Sequence, residues 1–341
     1  MFFNNRRVLI TGGAGLTGCT LIQRLLSEGA IIRATLHQRG PVVVDDRIEY
    51  VRCDLTKAED CRRAVEAVRY VFHCAAHTSA AGVTDAAPMA HVTSNLLINA
   101  QMLEAAYAAR VEKFLWPGST TGYPPSGDRP VKEEEMLDGE PYVKYFCVGW
   151  EKRFMEILCE MYGEKVTRPM TTIVLRATSI YGPNDDFEPS GSHVTPALIR
   201  KVVERQDPIE VWGTGDDIRD VIHVDDIVEA MVIAMERIES YTAINIGLGK
   251  AYSVKELLQI ILEIDGYTDA RIVFNASKPA MIPIRLVDTT NAEKVLGFKA
   301  KTNLREGLRK TIEWYRESRN IPRPHSRCGI PFMLAKYCSV I

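Results

Sequence analysis

Residues 7–30, "RVLITGGAGLTGCTLIQRLLSEGA", decide the fold of this chain. "RVLIT" is a short apolar run stopped by glycine, the pattern of a fully buried strand. "LTGCTLIQRLLSEGA" then carries apolar residues at helical spacing and closes on Gly29. Between strand and helix, Gly12, Gly15 and Gly18 recur at every third position, and Gly13-x-Gly15-x-x-Gly18 fits the dinucleotide fingerprint as well. Glycines so placed permit a tight turn and let a pyrophosphate approach the backbone at the positive end of the helix. The expectation is a bound dinucleotide cofactor. A tight turn with no ligand would use the same residues.

Outward from this turn, strands and helices alternate. "IIRATLH", "IEYVRCDL", the end of "CRRAVEAVRYVFHCAA", "KFLWPGST" and "TTIVLRATSIYG" read as further strands. "HVTSNLLINAQMLEAAYAARV" and residues 145–163 read as long helices. This alternation predicts an α/β fold: a Rossmann-type doubly wound parallel sheet with helices on both faces. Beyond about residue 184 the elements shorten. We therefore expect a smaller, interwoven C-terminal α/β substrate domain built from 179–222 and 248–330. Residues 1–178 would form the cofactor domain, with 223–247 returning to it and 331–341 left as a tail.

Composition narrows the function classes. The chain has 341 residues, 46% hydrophobic and 25% charged, with a formal net charge of −2. No basic excess points to nucleic acid, and no run approaches the roughly 20 apolar residues of a membrane span. "MFFNNRRVLITGG" runs directly into a strand, without the apolar core of a signal peptide. Eight cysteines, at 19, 53, 61, 74, 147, 159, 328 and 338, form no CxxC pair and no His-Cys spacing suited to zinc. They read as reduced thiols of a cytoplasmic protein without a metal site.

The second strand ends in "RATLHQRG". It lacks the acid that would accept a ribose 2′-hydroxyl and offers His37 and Arg39 instead, which tilts the cofactor from NAD toward NADP. A solvated basic loop would look the same. Asp54 follows the third strand, placed to meet the adenine or to cap a helix. "HCAAHTS" (73–79) supplies small residues along which a cofactor could lie flat, or which simply pack.

These features together resemble the extended short-chain dehydrogenase/reductase family of nucleotide-sugar epimerases, dehydratases and reductases. The glycine turn, "DL" at 54–55, "FHCAA" and Asn95 stand where that family has them. Within it, "PGSTTGYP" (117–124), "YGPNDDFEPSGSHVTPALIRK" (181–201), "VWGTGDDIRDVIHVDD" (211–226) and "IPIRLVD" (282–288) are similar to the GDP-fucose synthase branch. The resemblance implies cofactor contacts at Gly12, Gly15, Leu16, Thr17, His37, Arg39, Asp54, Leu55, Ala75, Ala76, Lys152, Ala177 and Ile180. It implies Ser119 on the sugar C4 oxygen, His193 as an acid of epimerisation, and Ser179 in the substrate site. Lys201, Arg219 and Arg285 would grip a nucleoside diphosphate, with Trp212 near the base. Each could equally be a surface ion-pair partner. It also implies a homodimer, formed as a four-helix bundle by helices 91–110 and 145–163. Their apolar faces could instead be core.

Two departures stand out. The family pairs a tyrosine with a lysine four residues later, and Glu156 and Tyr162 fix the lysine register at Lys152. The tyrosine position is then Val148. Thr121 stands where the branch has a cysteine base, and a threonine hydroxyl is a poor base at neutral pH. Three readings of Val148 stay open at this point. A repositioned Tyr145 or Tyr142 could serve, with Gly149 permitting a bulge. The chain could be a substituted form that traps substrate, or a member that has lost its redox chemistry.

Overall fold

The computed structural model describes residues 1–78, 85–189, 191–278 and 281–323. The tail at 331–341, Cys328, Cys338 and Ser79 of "HCAAHTS" lie outside the described residues. The chain begins β1 (Arg7–Thr11), α1 (Leu16–Leu26), β2 (Ile31–Leu36), β3 (Ile48–Arg52), α2 (Ala58–Ala64), β4 (Tyr70–His73). It continues α3 (Val92–Ala108), β5 (Lys113–Ser119), α4 (Phe146–Glu160), β6 (Thr171–Ala177), β7 (Ser179–Tyr181), α5 (Val194–Val203). There follow β8 (Ile209–Trp212), β9 (Ile218–Arg219), β10 (Val221–His223), α6 (Val224–Arg237), β11 (Thr242–Ile246), β12 (Tyr252–Ser253). The last elements are α7 (Val254–Asp265), β13 (Ile272–Asn275), β14 (Ile284–Arg285) and α8 (Leu304–Ser318).

Seven of these strands form one parallel sheet in the order β11-β6-β5-β4-β1-β2-β3. The order reverses between β1 and β4, and α/β sheets bind ligands in the crevice outside the carboxyl ends of strands at such a switch point. Val8, Leu9 and Ile10 are buried because helices cover both faces. Leu21, Ile22 and Leu25 of α1 pack with Ile227, Val228 and Met231 of α6 on one face. Met102 and Leu103 of α3 pack with Met155 and Cys159 of α4 on the other.

The expected single strand over 171–182 is two. Thr178 leaves the main sheet and its N–H donates to the Ile246 carbonyl at 2.9 Å. The next three residues then pair with β10. This break carries the chain from the large sheet to a second cluster, in which Leu198 and Ile199 of α5, Leu257 and Ile261 of α7 and Leu308 and Ile312 of α8 pack together. Helix α4 starts one residue later than expected and ends in a π-turn over 161–165.

Candidate functional site

The cofactor turn is built by close contacts. Gly12 has φ +69°, and a Cβ there would lie 2.9 Å from the Ala75 Cα. A Cβ at Gly18 would lie 2.2 Å from the Gly12 carbonyl oxygen, so both positions are glycine for reasons of packing. Gly15 differs: a Cβ there would meet only the Gly12 oxygen, at an ordinary 3.4 Å, and its φ of −90° suits any residue. Nothing among the described residues requires glycine at 15, and its missing side chain leaves open the approach to the N-terminus of α1, which no side chain caps. Leu16 and Thr17, half-buried, open that helix.

At the far end of the cleft His37 and Arg39 are exposed. Arg39 reaches Asp186 of the second cluster at 3.7 Å, beside a cavity of about 200 Å³ that Arg39, Asp185, Asp186 and Phe187 help to line. Asp54 is occupied by its neighbours: its carboxylate accepts from the Thr56 N–H at 3.2 Å and the Thr56 hydroxyl at 2.6 Å. These bonds hold its carboxyl below the usual range. Leu55 and Ala177 are buried in the core. Ala75 and Ala76 run from the end of β4, and Asn95 clamps the residue after them, accepting from the His77 N–H at 2.8 Å and donating to the His77 carbonyl at 3.0 Å.

Lys152 sits mid-helix in α4 with its Nζ 3.1 Å from the Glu151 carboxylate and 5.5 Å from the Trp116 ring. Glu151 accepts at 3.0 Å from the Asn99 side-chain amide, Asn99 meets His73 at 3.0 Å, and His73 meets the Thr11 hydroxyl at 2.9 Å. His73, Asn99 and Glu151 are all buried. Sequence reading missed this chain. Its only linear signal was three polar residues inside otherwise apolar segments. Gly149 makes no bulge, because α4 is continuous through it. A Cβ at Gly149 would lie 2.8 Å from the Thr121 carbonyl oxygen, so that glycine lets α4 approach the turn after β5. In that turn Ser119 Oγ lies 3.0 Å from Thr121 Oγ1 and accepts from the Thr121 N–H at 3.2 Å.

Burial raises the Tyr145 phenol, and the nearby cations Arg219 and Arg285 oppose that rise. Arg285 is 6% exposed and donates to the carbonyls of Pro124 at 3.1 Å and Tyr123 at 3.0 Å. Its Nε is buried without a partner, and burial pulls the guanidinium down to about 10. Tyr123 is itself pinned: its hydroxyl donates to Asn245 at 2.7 Å and accepts from Arg176 at 2.6 Å. Arg219 binds the carbonyls of Ile218 and Pro283 and lies 3.3 Å from Asp217. Lys201 donates to the Glu210 carbonyl at 2.6 Å, Trp212 is exposed with Lys278 over its ring, and His193 caps α5. His193 is exposed, and desolvation lowers its pKa against the pull of Asp186. Ser179 is exposed and Ile180 half-buried.

A guanidinium buried against carbonyls, with no carboxylate among its hydrogen-bond partners in the described residues, can take an anion such as a phosphate. No helix among the described residues is long and apolar enough to cross a membrane.

Comparison with known proteins gives the family. The profile of the NAD dependent epimerase/dehydratase family matches residues 8–247. The chain is 32% identical over 321 residues to the probable GDP-L-fucose synthase 1 of Oryza sativa subsp. japonica, covering 92% of each. The UDP-glucose 4-epimerase of Thermotoga maritima, solved with UDP-glucose, superposes with a TM-score of 0.82 at 25% identity, over 92% of this chain and 99% of that one. MoeE5, solved with UDP-glucose and NAD, superposes with a TM-score of 0.81 at 26% identity, over 92% and 99% respectively.

Proposed function

We propose, from the premise that this chain belongs to the NAD dependent epimerase/dehydratase family and is an NAD(P)-dependent nucleotide-sugar-modifying enzyme, that it moves hydride between NADP(H) and C4 of a GDP-sugar. One observation carries the substrate class. Arg285 is buried against two carbonyls, with half-buried Arg219, itself paired with Asp217, and Tyr145 near it, and a diphosphate would complete the Arg285 guanidinium's bonding. Ser119 and Lys152 would flank the sugar, His193 would close the site, and Gly15 leaves room for the cofactor pyrophosphate. Exposed His37 and Arg39, with no acid at the end of β2, support NADP over NAD.

The cofactor supplies the hydride, and the protein supplies orientation and a proton. In this reading Lys152 holds the cofactor ribose and Ser119 hydrogen-bonds the C4 oxygen. Val148 supplies no proton, so the chemical step is slow. In epimerisation at C3 or C5 His193 would be the acid, and the deprotonation is slow because Thr121 is a weak base. A second reading, a binder of cofactor and sugar nucleotide without efficient hydride transfer, is favoured by Val148 alone. Mixing the protein with NADPH and a GDP-4-keto sugar separates the two: loss of NADPH absorbance supports the enzyme, and binding without loss supports the binder.

We divide the chain into a cofactor domain, residues 1–178 with 223–247, and a sugar-nucleotide lobe, 179–222 with 248–330. The stripe Phe146, Trp150 and Phe154 on α4 is 44%, 41% and 48% exposed, and we assign it with Leu97 of α3 to a homodimer interface of the four-helix type. Free thiols at Cys19, Cys53 and Cys61 support a cytoplasmic setting.

A further inference from the structure

We propose that Glu151 is a positioning residue: it anchors the Lys152 ammonium in the cleft and ties it, through Asn99 and His73, to Thr11 beneath the cofactor turn. The proposal rests on the reading of this cleft as a hydride-transfer site.

Residues adjacent on a helix point in different directions and do not normally meet. Here the lysine stem curls back, so that Nζ lies 3.1 Å from a Glu151 carboxylate that is 0% exposed, while the Lys152 side chain keeps 16% of its surface open. A buried carboxylate is costly unless it is paired and hydrogen-bonded. Glu151 Oε1 accepts from the Asn99 amide at 3.0 Å, while its buried Oε2, with no hydrogen-bond partner among the described residues, is compensated by the Lys152 ammonium at 3.1 Å. The hydrogen bonds run in one direction. The Ala75 N–H donates to Thr11 Oγ1 at 2.9 Å, and the Thr11 hydroxyl donates in turn to His73 Nδ1 at 2.9 Å. We assign the His73 proton to Nε2, which donates to Asn99 Oδ1 at 3.0 Å. Asn99 passes the polarity to Glu151.

Thr11 immediately precedes Gly12, and Ala75 abuts it. The lysine is thereby fixed relative to the two backbone segments that border the cofactor. With valine at 148, no phenol one turn back can hold the ammonium, and Glu151 takes that task. The groups facing Lys152 are Glu151 on its own helix, His73 from β4, His91 at the start of α3 and the Trp116 ring from β5. Burial lowers both histidines toward the neutral form, so neither competes as a cation for the Glu151 carboxylate.

The test is Glu151→Gln, which preserves shape and still accepts from Asn99 but removes the charge. Lys152 acetylation by acetic anhydride is followed against pH by peptide mass spectrometry, with the exposed Lys299 as internal control. Loss of a neighbouring anion favours the neutral amine, so the Lys152 midpoint moves to lower pH while Lys299 stays. Glu151→Asp, which retracts the charge by one methylene, moves it the same way by less, and it serves if the glutamine variant does not fold. An unchanged Lys152 midpoint in a folded variant overturns the proposal. Labelling needs no substrate, so an absence of hydride transfer in wild type would strike the functional reading and leave this one standing.

Discussion

Asn99 of α3 donates its side-chain amide to the Glu151 carboxylate of α4 at 3.0 Å, across 52 positions of sequence. Two helices that cover one face of the sheet are joined at a buried polar point just behind Lys152. Interactions of this kind are net favourable only while every member is satisfied. The chain therefore has consequences for stability as well as for the site.

His73 gives the first of these. Burial lowers it to about 4, against about 6.5 in an unfolded chain. Between those values the unfolded state binds more protons, so stability is complete above pH 6.5 and is lost as pH falls toward 4. The full loss is about 3 kcal/mol, at 1.36 kcal/mol per unit. Urea denaturation at pH 7 and pH 4 should show wild type losing about that much more than His73→Asn. Equal losses would mean that His73 is not buried neutral.

The cofactor turn predicts a contrast between neighbouring glycines. Gly15→Val should abolish NADPH binding in calorimetry while leaving the melting temperature near wild type, because its Cβ has room. Gly18→Val should lower the melting temperature sharply, since its Cβ collides with the Gly12 oxygen at 2.2 Å. In the same calorimeter wild type should bind NADPH more tightly than NADH. Tighter NADH binding would remove the role given to His37 and Arg39.

This contrast also shows how far the sequence could be read. The strand–turn–helix at 7–30 was legible because backbone geometry and glycine spacing are local. Six of the seven parallel strands followed from the alternation of elements; β11 did not, because it lies beyond residue 184, where the elements shorten. Arg285 was legible as a residue but not in its setting, since the carbonyls of Tyr123 and Pro124 that hold it lie over 160 positions away. Tyr145 looked like a candidate partner for Lys152 because it lies two helical turns before it. The structure turns it toward Arg219 and Arg285, since the chain is still in a 3₁₀ turn at residue 145 and α4 begins only at Phe146. The Thr11–His73–Asn99–Glu151 chain was illegible, because each member comes from a different element and none has a motif.

Arg285→Ala should weaken binding of a GDP-sugar by about ten-fold or more, the loss of a charge-assisted hydrogen bond worth roughly 1.5–3 kcal/mol. Cofactor affinity should be unaffected, since Arg285 lies in the other lobe. Competition binding with a fluorescent GDP derivative reads both. Unaltered sugar-nucleotide affinity would place the diphosphate elsewhere.

Trp150 stands at the middle of the exposed stripe on α4. Trp150→Glu should convert a dimer to a monomer in sedimentation velocity, because a charge at the centre of an apolar interface is left unpaired. A wild-type protein that sediments as a monomer at micromolar concentration would contradict the assignment.

The central claim is that cofactor and sugar nucleotide meet at Lys152 with no phenol to move the proton. It is tested most directly by single-turnover NADPH oxidation with a GDP-4-keto sugar in wild type and Val148→Tyr, where product release cannot mask chemistry. General acid catalysis contributes about 10²–10⁴-fold, so the tyrosine variant should be faster on that order with little change in substrate affinity. Rapid hydride transfer in wild type, with no gain from Val148→Tyr, would contradict the account and assign the proton to another group.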